Sequence, residues 1–193
     1  MPRVTHVKKA RKAIPRFNIE VGDSYYWWKF MVGGRGGPKV CSKTPPRPSQ
    51  LTQSSFLQAI YGAQESLDAA EDPDGFRAVA QEIREAGEEC QGSFDNMPEG
   101  LQQGDTGQLL EERVGQCEEW ADEIETAADE LETAISNRDE LRAAWATYDA
   151  AVAEYDPADE DSEEPEEPED DERPPEDDSD LVEEARESCG GPF

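Results

Sequence analysis

The sequence predicts a mainly α-helical protein that opens with a small β-hairpin module and closes with a disordered acidic tail. Three observations carry that fold class. Residues 24–32 (SYYWWKFMV) concentrate aromatic and β-branched side chains. Leu110, Val114, Cys117, Ala121, Ile124, Ala128, Leu131 and Ile135 recur in alternating steps of four and three, the spacing of a helical seam. Residues 156–180 hold Asp, Glu and Pro with no apolar side chain beyond alanine, so they bury too little to offset the entropy of folding. The expected divisions are 1–48 (basic arm, aromatic hairpin and proline linker), 49–155 (acidic helical bundle, coiled-coil-like) and 156–193 (tail).

Taken in order, residues 1–22 read as an arm with one short strand near Phe17–Val21, ended by Gly22-Asp23. On the strand that follows, alternation places Tyr26, Trp28, Phe30 and Val32 on an apolar, inward face. Tyr25, Trp27, Lys29 and Met31 fall on the other, which suits solvent. Residues 33–37 (GGRGG) are turn chemistry, and Lys39–Lys43 reads as the returning strand. Thr44-Pro45-Pro46-Arg47-Pro48 cannot pair in a ladder and forms a stiff linker.

Ser49 or Thr52 is the expected N-cap of a first helix that runs to about Ala70 on Phe56, Leu57, Ile60, Tyr61 and Leu67. Residues 71–75 (EDPDG) interrupt it, and a second helix carries Phe76, Val79, Ile83, Ala86, Cys90, Phe94 and Met97 up to Pro98. Asp105 or Thr106 caps the third. The short 98–105 connection makes helices two and three antiparallel. Leu141, Trp145, Tyr148, Val152 and Tyr155 extend the third pattern, either after a break at Ser136-Asn137 or as one long helix. Leu181 to Cys189 has room for a helical turn or two.

Composition narrows the function. Leu, Ile, Val and Phe number 30 of 193 residues, low for a large enzyme core. The single histidine, His6, lies in a basic segment, and the four cysteines contain no CxxC pair. Neither catalysis, a metal nor a cofactor is expected. The order basic arm, Gly-Asp turn, aromatic strand, Gly-rich turn and Cys41 is similar in layout to small zinc ribbons. Those modules need four ligands, and residues 1–49 offer only Cys41 and His6. With no apolar run of about 18 residues and no signal-type h-region, a soluble protein of a reducing compartment is expected, with no membrane contact. Cys90 and Cys117, both on inward positions, read as buried thiols or as neighbours able to form a disulfide.

Charge is segregated. The net charge is −29, yet residues 1–49 carry 11 basic and 2 acidic side chains, and all six lysines fall there. Residues 50–157 hold 5 basic and 27 acidic, and residues 158–193 hold 2 and 18. Such asymmetry marks nucleic-acid-binding or tail-regulated proteins. The expected phosphate contacts are Arg11, Lys12, Lys29, Arg35, Lys39 and Lys43, with Tyr25 and Trp27 as stacking platforms. The acidic tail either solubilises the chain or competes with nucleic acid for the arm. Glu111-Glu112, Glu118-Glu119 and Asp122-Glu123 lie on outward helix positions, as a solvated face or as an imitation of a phosphate backbone aimed at a nucleic-acid enzyme. A third reading is a structural assembly protein that forms a homo-oligomer through the 110–135 seam.

Two pairs of segments, GDSYYWWKF with SKTPPRPSQLTQS and NMPEGLQQG with TGQLLEER, resemble uncharacterised proteins of tailed bacteriophages over roughly residues 1–135. The resemblance implies a phage origin and a setting in the host cytoplasm or virion, with no catalytic residue carried over. On it, the enzyme met by the acidic face would be a host or phage replication or defence protein, and the assembly reading would concern the virion. The acidic run ending in Gly190-Gly191-Pro192-Phe193 is similar to the tip of bacterial single-stranded-DNA-binding proteins, from which Arg186 and Cys189 depart.

Overall fold

The computed structural model describes residues 1–32, 35–155, 165–168 and 173–191. The protein is mainly helical, with a small three-stranded antiparallel sheet at its N-terminus. It divides into two compact units, residues 1–65 with 85–113 and residues 66–84 with 114–193.

In the first unit, strands β1 (Thr5–Val7), β2 (Tyr25–Val32) and β3 (Arg35–Ser42) lie in the order β1-β2-β3. Of the expected 33–37 turn, Gly33-Gly34 lies outside the described residues, while Arg35, Gly36 and Gly37 already belong to β3, which begins four residues before the expected Lys39. The register places Thr5 opposite Trp27, Trp27 opposite Cys41 and Lys29 opposite Lys39, with a bulge between Lys29 and Met31. The first strand is therefore not near Phe17–Val21. Pro15 has no N–H to give a ladder, and Pro15–Phe17 makes a single 3-10 turn that closes on Asn18 with φ 54°. Ile14 and Ile19 bridge across it. Gly22, at φ 98°, allows the arm to fold back, with the Gly22 N–H donating to the Ala10 carbonyl at 2.9 Å.

That fold-back overturns the face assignment of β2 at Tyr25, while Lys29 and Met31 on the same face are exposed as expected. Ala10, Ile19, Tyr25 and Cys41 are buried together, with Val7, Ile14, Phe17 and Trp27 packed against them. Tyr25, expected at the surface, is 9% exposed. Its hydroxyl and its neighbour Lys29 make that face read as polar, but residues 10–22 cover it. On the opposite face Trp28 is buried as its position predicts, and Tyr26 and Phe30 are half-buried.

Helix α1 (Ser55–Ala69) is capped by Ser54, whose Oγ accepts the Leu57 N–H at 3.4 Å. Ser49 and Thr52 are not the cap. Pro48–Leu51 forms a 3-10 turn, and Ser49 donates its hydroxyl to Glu65 at 2.9 Å. Helix α2 (Pro73–Asp95) starts at the proline, since a missing N–H does no harm at the first helical position. Asp72 caps it, accepting the Gly75 N–H at 2.7 Å. After the short α3 (Glu99–Gln102), α4 (Asp105–Glu154) runs unbroken for 50 residues, past Ser136-Asn137.

In the second unit Phe76, Val79, Ala80 and Ile83 of α2 are buried, as are Cys117, Trp120, Ala121, Ile124, Ala127, Ala128 and Leu131 of α4. Arg77 pairs with Asp129 and Glu132, and Arg84 with Asp122 and Glu125. The residue numbers ascend on one helix as they descend on the other, so these stretches run antiparallel. The buried stripe of α4 includes Trp120 and Ala127, which the heptad seam omits. It is the wider stripe of a helix with more than one neighbour. The seam residues from Cys117 to Leu131 are thus covered within the chain, while Leu110, Val114 and Ile135 at its ends are half-buried. All four cysteines are buried thiols outside any disulfide.

The tail departs from an extended, solvated segment at its far end. Residues Ser179–Ser188 form helix α5, with Val182 and Ala185 buried. The Trp120 indole N–H donates to the Cys189 carbonyl at 3.4 Å, and Arg186 donates to the Leu67 and Ala70 carbonyls at 3.2 and 2.8 Å. Arg138 pairs with Asp178 and Asp180, and Arg142 with Asp178 and Asp139. Composition forecasts solvation here because Leu181, Val182 and Ala185 are few. A ready-made apolar face on α4 lets so few suffice.

The Arg138 guanidinium lowers the Asp180 carboxyl from its ordinary value to about 2. Because the folded value is depressed, this contribution is full above pH ~4 and is lost as pH falls through about 2. Limited proteolysis of the C-terminal segment should accelerate between those pH values in the native protein, and Asp180→Asn should abolish that acceleration. An unchanged profile in the variant would assign the pH response elsewhere.

Candidate nucleic-acid interface

The basic residues of the N-terminal segment are sorted by the sheet. Lys29 and Lys39 are direct cross-strand partners, so their side chains leave the same face. Like charges in that relation repel. Lys39 turns its ammonium onto the rings instead, 4.6 Å from the Trp27 centroid and 5.2 Å from that of Tyr25, with the Tyr25 hydroxyl at 3.4 Å. Lys29 remains exposed. Lys43 pairs with Asp23 at 2.9 Å. The Glu20 N–H and the Lys43 ammonium together hold the Asp23 carboxyl below its ordinary value.

Arg11, Lys12, Lys29 and Arg35 are exposed, and among the described residues none of them has a carboxylate partner. They are the predicted site residues that the fold leaves available to an anion. Lys39 and Lys43 are half-committed to contacts within the sheet. Tyr25 and Trp27 are not presented as open platforms: the first is buried, and the second is half-buried beneath Lys39.

Sequence reasoning passed over Lys8 and Lys9. Both are exposed directly after β1, where Ala10 is anchored by its N–H to the Asp23 carbonyl at 2.8 Å. The basic run 8–12, interrupted only by the apolar Ala10, was the available signal. His6, weighed in the sequence only as a metal ligand, stacks its ring on Tyr26 at 4.5 Å and 16° while Nε2 lies 2.8 Å from the Ser24 hydroxyl.

The second unit has the opposite character. It holds 6 arginines against 36 carboxylates. Arg77, Arg84, Arg138, Arg142 and Arg173 pair with carboxylates, and Arg186 is bound to backbone carbonyls. The outward clusters Glu118-Glu119 and Asp122-Glu123 of this unit are exposed, as is Glu111-Glu112 of the first unit. Among the described residues no group of three or more His, Cys, Asp or Glu is arranged to hold a metal ion. No described helix is long and apolar enough to cross a membrane. No protein-family description, curated protein or solved structure matches the chain.

Proposed function

We propose that the protein is a non-catalytic nucleic-acid-binding protein that engages phosphates through its N-terminal sheet and arm. The observation that carries this reading is the set of exposed cations Lys8, Lys9, Arg11, Lys12, Lys29 and Arg35, which have no carboxylate partner among the described residues, in a chain of net charge −29. In so acidic a protein, cations left without an internal partner are the ones a polyanion would recruit. The acidic tail supplies the opposing charge that tunes this binding. The phage setting implied by the sequence resemblance is compatible with such a role in the host cytoplasm.

Six phosphates engaged would make log affinity fall with log salt at a slope of roughly −5. Fluorescence anisotropy of a labelled oligonucleotide with the full-length protein at several salt concentrations reads this slope. A slope near zero, or no binding at low salt, would overturn the reading.

A second reading is favoured by one observation, the engagement of every arginine of the acidic unit within its own fold. What that unit presents outward is an excess of carboxylates, suited to the basic cleft of a nucleic-acid enzyme. Nucleic acid should then compete with the protein for such an enzyme.

A further inference from the structure

We infer that the ligand of this surface is double-stranded nucleic acid held by its phosphate backbone, with no base stacked on the module's rings. The inference rests on the nucleic-acid reading above and adds the class of strand. Affinity for single strands comes largely from bases stacking on aromatic faces, each worth about 1–3 kcal/mol. A protein without open ring faces forgoes that contribution and keeps only the electrostatic one.

The four consecutive rings of β2 are each committed. Tyr25 is buried in the core with Ala10, Ile19 and Cys41. Tyr26 is covered by the His6 ring at 4.5 Å. Trp27 lies under the Lys39 ammonium at 4.6 Å. Trp28 is 3% exposed. Clearing Trp27 for a base would strip Lys39 of its cation–π contact and return it towards Lys29, its cross-strand partner.

The cations around these rings remain outside, from the run 8–12 to Lys29 and Arg35. A surface that offers charge without stacking favours the polyanion of higher charge density. A duplex carries one charge per about 1.7 Å of axis, and a single strand about half that. Across six contacts at about 0.1 M salt, the steeper counterion release of a duplex corresponds to roughly a tenfold preference.

The test compares a mixed-sequence DNA duplex of about 20 base pairs with oligo(dT) of equal length, using full-length protein and anisotropy at one salt concentration. The expected result is about tenfold tighter binding of the duplex. Binding of oligo(dT) should leave tryptophan fluorescence unchanged, and Trp27→Leu and Phe30→Leu should leave duplex affinity intact. Equal or tighter binding of oligo(dT), with quenching of tryptophan or a loss in Trp27→Leu or Phe30→Leu, would overturn the inference while leaving nucleic-acid binding in place. Binding of neither strand form at low salt would overturn both the inference and the reading beneath it.

Discussion

Trp120→Ala is expected to destabilise the protein by about 3–5 kcal/mol, a large share of the roughly 5–15 kcal/mol that holds most domains folded. The side chain is 2% exposed and is among the largest that the fold buries completely. Its removal leaves a cavity that α4 cannot collapse into, because Cys117, Ala121 and Ile124 of the same helix are themselves buried. The loss is double. Its indole N–H donates to the Cys189 carbonyl, and Gly191 approaches so closely that a Cβ there would sit 3.1 Å from the ring. The C-terminal segment should therefore become protease-sensitive at denaturant concentrations where the rest of the fold survives. Urea unfolding followed by circular dichroism reads the first effect and mass-resolved proteolysis the second. A loss below about 1 kcal/mol would show that Trp120 is not a keystone of the unit. Trp120→Phe, which keeps a ring but no donor, should recover most of the stability and less of the protection.

Arg11→Ala, Lys12→Ala, Lys29→Ala and Arg35→Ala combined should leave the fold intact and weaken nucleic-acid binding by two to three orders of magnitude at about 0.1 M salt. Each cation that neutralises one phosphate contributes nearly one unit to the salt slope, so the slope should shrink by about four. The fold should survive because these four side chains are exposed and bridge no carboxylate among the described residues. Lys39 and Lys43 are left in place because each also holds the sheet, through Trp27 and through Asp23. Anisotropy measures the affinity, and an unchanged circular dichroism spectrum confirms that the loss is one of contact. If affinity and slope both match the parent protein, the N-terminal cations do not hold the ligand.

These two variants also separate what was legible in the residues from what was not. The hairpin, the antiparallel relation of α2 and α4 and the outward carboxylate clusters all follow from spacing or from loop length, whereas Asp105, one of the two expected caps, is already the first residue of α4. So does the segregation of charge, since a charge stays on the chain segment that carries it. Burial of Tyr25 did not follow. It depends on Ala10 and Ile19, brought over the sheet by turns at Asn18 and Gly22 whose backbone angles no periodicity reports. Trp120 lay off the heptad seam, and nothing nearby in the chain announces that Cys189, 69 residues on, will cover it.

The sequence alone determined the inventory: one aromatic hairpin, a long helical stretch, a cationic front and an anionic remainder. These are local properties, written in periods of two and of about 3.6 and in formal charge. Only the tertiary structure decided which faces are covered. It covered Tyr25, Tyr26, Trp27 and Trp28 of β2, left Arg11, Lys12, Lys29 and Arg35 outside, and drew the end of the acidic tail onto α4. Burial is a relation between segments distant in the chain, and a residue's own chemistry does not contain it.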